Sequence, residues 1–131
     1  MQRHGEKHMQ SWFNNKRRRK PLLLRGARQV GKSTLVRNFA QQHNLSLNEV
    51  NLERYRELDQ TFATMDTSLI KSELEGLFGQ SLLQPDSLLF LDEIQATPSA
   101  IPALRYLYED FPELPVVAAG SLVEFTLADH S

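Results

Sequence analysis

Four short apolar runs, PLLLRG at 21–26, LSLNEVNLE at 45–53, SLLFLDEI at 87–94 and LPVVAAGS at 114–121, are spaced by stretches long enough to hold helices. Runs this short, bounded by Pro, Gly or Asp, read as buried strands. The second alternates Leu45 and Leu47, then Val50 and Leu52, with one slip of phase. Between the strands, apolar residues recur at helical spacing. Leu35, Val36, Phe39 and Ala40 follow Lys32 and run to Asn44, while Ile70, Leu74, Leu77 and Phe78 end near Gly79. In TPSAIPALRYLYEDF, Ile101, Leu104, Tyr108 and Phe111 line one side, with Thr97 placed to cap and Pro98 in the first turn. Pro102 lies close enough to that start for its missing amide to be tolerated.

Strands alternating with helices require parallel pairing through right-handed crossovers, and hence an α/β sandwich with helices on both faces. A chain of 131 residues has material for one such core. Ligands in these sheets bind at the carboxyl ends of the strands. The polar signals at 26–34, 92–93 and 120–121 each fall at such an end.

Several function classes are excluded by composition. Without cysteine there is no disulfide, no thiolate nucleophile and no Cys-ligated zinc, as suits a reducing compartment. No apolar run approaches a membrane span or a signal-peptide core, so the expected location is the cytoplasm, with no membrane partner. The net charge of −1 conceals an asymmetry: residues 1–20 hold seven of the fifteen Lys/Arg and only Glu6 of the sixteen acids. Two readings of its focus, KRRRK from Lys16 to Lys20, stand side by side: a solvated lead-in to the first strand, and a nucleic-acid contact driven by counterion release. Trp12 and Phe13, adjacent to each other, suit an anchor onto the body better than a base-stacking platform. The rest of the N-terminus reads as loose, and His4 and His8, at i and i+4 without a third ligand, as ordinary polar residues. His43 and His130 stand alone, and Tyr106 and Tyr108 suit a core or an interface. The expected division is a basic segment over 1–20 followed by one domain over 21–131.

The stretch GARQVGKST, Gly26 to Thr34, carries the most specific chemistry. Glycines at 26 and 31 let the backbone turn sharply and approach phosphate oxygens, so that successive amides form an anion nest. A helix beginning near Lys32 adds its positive N-terminal dipole. Lys32 is then the partner of the β- and γ-phosphates, and the Ser33 hydroxyl a ligand for Mg²⁺. Asp92 and Glu93 end the strongest strand and supply two carboxylates at the same edge. Asp92 suits the magnesium shell, and Glu93 suits a general base for an attacking water. Ser121, after PVVAAG, reads equally as a contact to the terminal phosphate and as a plain turn residue.

Together KPLLLRGARQVGKSTLV, LERYREL and LLFLDEIQATPSAIPALRYLYEDFPELPVVAAGSLVEF resemble the AAA+-superfamily ATPases of bacteria and archaea whose P-loop domain precedes a C-terminal domain of unknown function. The resemblance implies a three-layer P-loop core with parallel strands in the order 5-1-4-3-2, binding ATP and Mg²⁺. It implies a Walker A motif of Gly26, Ala27, Arg28, Gln29, Val30, Gly31, Lys32, Ser33 and Thr34, a Walker B pair of Asp92 and Glu93, and the first sensor position at Ser121. Members of that group continue past the point matching Ser131, through a fifth strand and a helical lid, which leads one to expect a domain cut before its lid and an exposed first strand. No Arg or Lys follows Arg105 to act as an arginine finger, a contribution of ~10³ or more in rate. Two functions stay open on these grounds: an ATP hydrolase driving conformational work, and a non-catalytic nucleotide-binding fragment or switch. Expected partners are ATP, a homo-oligomer and, through Lys16 to Lys20, nucleic acid.

Overall fold

The computed structural model describes residues 2–15, 20–24 and 30–120, with the side chains of residues 2–6 and 30 left out of the description. Four parallel strands, β1 (Leu22–Leu24), β2 (Ser46–Asn51), β3 (Ser87–Asp92) and β4 (Val116–Ala119), form one sheet in the order β1-β4-β3-β2. This is the order the resemblance implies for strands one to four. Among the described residues no fifth strand lies beside β1.

Helices cover both faces of the sheet. One layer holds α1 (Gln2–Asn14) and α2 (Val30–Gln42), and the other holds α3 (Leu58–Ala63), α4 (Thr67–Phe78) and α5 (Ala100–Asp110). Alternate strand residues feed the two cores. Leu88, Phe90, Val117 and Ala119 join Met9, Val36, Phe39 and Ala40 under α1 and α2. Leu89, Leu91, Val116 and Ala118 join Phe62, Ile70, Leu74, Ala103 and Leu107 on the other side. Consecutive apolar residues are therefore correct for these strands, because both faces are buried.

The phase slip in β2 has the same cause. Leu47 packs toward the α1/α2 layer and Val50 toward the α3/α4/α5 layer, so each lies on the face its position dictates. Between them Asn48 occupies a core position at 2% exposure. Its amide donates to Ser87 Oγ (3.0 Å) and to Ser46 O (3.2 Å), and its Oδ1 accepts from Gln80 Nε2 at 2.6 Å. A buried amide left unpaired costs about 1–3 kcal/mol, and this network removes that cost while tying the turn after α4 to the start of the sheet.

Two expectations are corrected here. The N-terminus is not loose: residues 2–14 form α1, which packs on α2. Met9 is fully buried, and Trp12 and Phe13, three and four residues further on, continue the same stripe onto the core. The Phe13 ring meets Phe39 edge-on at 5.4 Å, and His43 lies 4.2 Å from Phe39, centroid to centroid. Trp12 Nε1 donates to Lys20 O, fastening the chain that leads into β1. His8 is exposed on α1, the His4 side chain lies outside the description, and no metal-binding cluster of three or more His, Cys, Asp or Glu occurs among the described residues.

Thr97 does not cap α5. It is buried and closes a 3₁₀ turn over Ile94–Ala96, donating through N (3.0 Å) and Oγ1 (3.4 Å) to Ile94 O. Ser99 takes the cap position without a side-chain bond, and Pro102 falls in the first turn of α5, where its missing N–H is harmless. By contrast α4 opens on Asp66, which accepts from Leu69 N, and closes on Gly79 at φ 72°, a left-handed cap that favours glycine. Among the described residues no helix is long and apolar enough to cross a membrane.

Candidate functional site

The first turn of α2 faces the carboxyl ends of β3 and β4, which the strand order makes neighbours. Lys32 Nζ donates to Gly120 O at 2.9 Å, directly after β4. Ser33 Oγ donates to Asp92 Oδ2 at 3.0 Å, at the last residue of β3. Asp92 is two residues on from Phe90 and four from Leu88, so it shares their face of the sheet, the one α2 covers. Lys32, Ser33, Asp92 and Glu93, four residues singled out in the sequence, thus meet at one edge.

The Asp92 carboxylate is half-buried, and loss of water holds its pKa above the usual range. The Ser33 hydroxyl and the Glu93 N–H, which reaches Oδ1 at 2.9 Å, oppose that rise, whereas the charges of Glu93 and Glu49 reinforce it. Glu49 on β2 is itself held by Arg37 of α2 in a two-bond fork, at 3.0 Å from Nε and 2.7 Å from Nη2. Bonding and charge from Glu49 raise the guanidinium pKa, but with Arg37 exposed the pair contributes at most about 1 kcal/mol. Its place is to hold α2 against β2 beside the acid pair.

Glu93 adopts a left-handed backbone, φ 54° and ψ 48°. For a residue with a Cβ this costs about 1–2 kcal/mol. Its carboxylate accepts from Gln95 Nε2 at 2.7 Å. Gln95 rests in turn on Gly120: a Cβ added there would lie 2.3 Å from Gln95 Oε1 and 3.3 Å from the Ile94 backbone N. A methyl group there would have to push the Gln95 side chain aside and press lightly on Ile94, whereas glycine leaves both in place. Gln95 did not stand out as a site residue in the sequence, and Gly120 did so only within the polar signal at 120–121, since LDEIQ and AAGS show their spacing but not their meeting.

The remaining predicted positions divide simply. Gly26, Ala27, Arg28, Gln29 and Ser121 lie outside the described residues, as do Lys16 to Arg19 of the basic run. Val30 opens α2, and Thr34 is half-buried on the same first turn. At Gly31 no atom lies within 4 Å of where a Cβ would project, so the described neighbours leave open space beside Lys32. A cleft of about 460 Å³ elsewhere, lined by Lys20, Leu23, Arg105, Tyr106 and Tyr108 among others, contains none of the predicted phosphate, metal or catalytic residues, though Lys20 of the basic run borders it.

A family model described as an AAA domain matches residues 18–131, a span that takes in every residue of this site. The chain belongs to the AAA-domain family. The matched span begins after α1, so the buried Met9 and the Phe13 contact lie outside it. This AAA domain is also similar to the replication factor C large subunit of Sulfolobus acidocaldarius, at 33% identity over 109 residues. The match covers 79% of this chain and 23% of that protein, so the AAA domain spans about a quarter of the relative's length.

Proposed function

We propose that this AAA domain binds ATP with Mg²⁺ and hydrolyses it. The observation that carries the proposal is the bond from Ser33 to Asp92, with Lys32 and Glu93 beside it at the carboxyl edge of the sheet. The donor set fits a hard cation: the Ser33 hydroxyl spends its proton on Asp92 and keeps lone pairs, and Asp92 is a half-buried carboxylate. Lys32 is the cation for the phosphates at the N-terminal end of α2. Bound Mg²⁺ supplies charge neutralisation at the phosphates. Glu93 orients the attacking water and takes its proton.

The finer assignments rest on the sequence resemblance: the Walker A motif from Gly26 to Thr34, the phosphate contact at Ser121, and membership of the group with the additional C-terminal domain. A self-associating, cytoplasmic ATPase is the whole-protein reading they support. A nucleic-acid partner at Lys16 to Lys20 draws on the basic run, whose last residue, Lys20, is exposed, and on the similarity to a replication factor C large subunit. Binding that ignored salt, or survived neutralisation of the run, would remove that partner.

The direct test is Glu93→Gln in the full-length protein. ATP affinity in Mg²⁺ is expected to stay within about twofold while turnover falls ~10²-fold or more. Equal background rates for both proteins, with ATP still bound, would instead establish the non-catalytic nucleotide-binding switch.

A further inference from the structure

We propose that Gln95 is the positioning residue for Glu93, holding its carboxylate from a seat on the carboxyl end of β4 at Gly120. This rests on the reading of Glu93 as the base. A glutamate carries three side-chain torsions, and one that follows a strand end has little of its own to fix the carboxylate. Gln95 supplies the constraint. Its amide nitrogen is 2.7 Å from Glu93 Oε1, and its carbonyl oxygen faces Gly120 where a methyl group would collide. Chemistry sets the direction of that amide: an ionised carboxylate only accepts, so the NH₂ must face Glu93 and the oxygen must face β4.

The seat is as well defined as the bond. Ile94, between the two residues, is fully buried, and the 3₁₀ turn closed by Thr97 holds residues 94–96 against the core. Gln95 therefore projects from a pinned segment. Gly120 offers its carbonyl to Lys32 and its bare Cα to Gln95, so one peptide registers both the cation and the acid. The separation between phosphate-binding and water-activating groups is then set by β4 rather than by the loops that carry them. Misplacement by about 1 Å costs ~10²-fold in comparable arrangements.

A merely structural role makes a different prediction. Gln95 and Glu93 are both partly buried, but the bond between them joins residues only two apart within one turn, so losing it leaves the packing of sheet and helices in place. The experiment is Gln95→Ala and Gly120→Ala, singly and together, in the full-length protein. Turnover, ATP affinity by fluorescent-nucleotide titration, and melting temperature are read for each, with a crystal structure of Gln95→Ala. We expect kcat for Gln95→Ala to fall about 10- to 100-fold while ATP affinity stays within about twofold and the melting temperature is unchanged. Gly120→Ala should cost less in the Gln95→Ala background than alone, because its methyl group acts by displacing Gln95. The Glu93 carboxylate should also leave its position in the crystal structure.

Wild-type kcat in Gln95→Ala, additive losses, or an unmoved Glu93 carboxylate would each overturn the inference, as would a loss shared equally by affinity and melting temperature. Failure of the underlying reading is separable. Turnover unaffected by Glu93→Gln removes the base itself, and this inference with it, whereas a silent Gln95→Ala beside an inactive Glu93→Gln removes only the role of Gln95.

Discussion

Ser33 Oγ donates to Asp92 Oδ2 at 3.0 Å, joining residues 59 positions apart and closing the first turn of α2 onto the end of β3. The serine has two duties in this arrangement: it stabilises a carboxylate that has lost water, and it presents an oxygen of its own toward the same space.

Ser33→Ala removes both. Turnover should then require about 10-fold or more additional Mg²⁺, because losing a partner of a metal-binding carboxylate weakens metal affinity on that scale. Titrating ATP turnover against Mg²⁺ measures the shift. An unchanged magnesium profile would mean that Ser33 is a helix residue and no more.

Asp92→Asn should raise stability while removing function. Burial holds the folded-state pKa of Asp92 above its unfolded value, so between those values the folded protein binds more protons. Stability at this residue is therefore lost as pH rises through the folded pKa and regained as pH falls. At pH 7 without added metal, Asp92→Asn should melt higher than wild type, an advantage that fades as pH falls through the raised folded-state pKa and is gone below the ordinary carboxylate value. Thermal scans at pH 7 and pH 4 test the sign. A lower melting temperature at pH 7 would mean that the bonds from Ser33 and the Glu93 N–H outweigh burial.

Met9→Ala probes the docking of α1. The side chain is fully buried against Val36, Phe39 and the α2 face of the sheet. Removing it should cost about 2–5 kcal/mol in urea unfolding, as for other buried apolar truncations. A loss below about 0.5 kcal/mol would show that α1 is not part of the cooperative unit.

What the sequence revealed tracks how local each cause is. The four strands and helices α2, α4 and α5 were legible because their apolar periods are written along the chain, whereas the strand order came from the family resemblance. The meeting of Lys32 and Ser33 with Asp92 and Glu93 followed from strand ends sharing one edge. The phase slip in β2 had no visible cause along the chain because the side chains that hold Asn48, those of Gln80 and Ser87, lie more than thirty residues away. The short α3 shows only Leu58 and Phe62 as buried apolar positions, too few to establish a period. Helix α1 escaped because polar residues surround a stripe made of Met9, Trp12 and Phe13, and the stripe gains meaning only from Phe39 and the sheet beneath it. Gln95 escaped for the same reason, since its importance lies in Gly120 across the sheet edge.

The left-handed turn at Glu93 sets foldability and chemistry against each other at a single residue. Glycine or asparagine would relax the backbone there, so substitutions ranked by melting temperature and by turnover should fall in opposite orders. Glutamine keeps the strained geometry and the side-chain shape, which makes Glu93→Gln the replacement that isolates the carboxylate. A library selected only for thermal robustness would drift toward residues that end the strand comfortably, and would discard the acid before it disturbed the core.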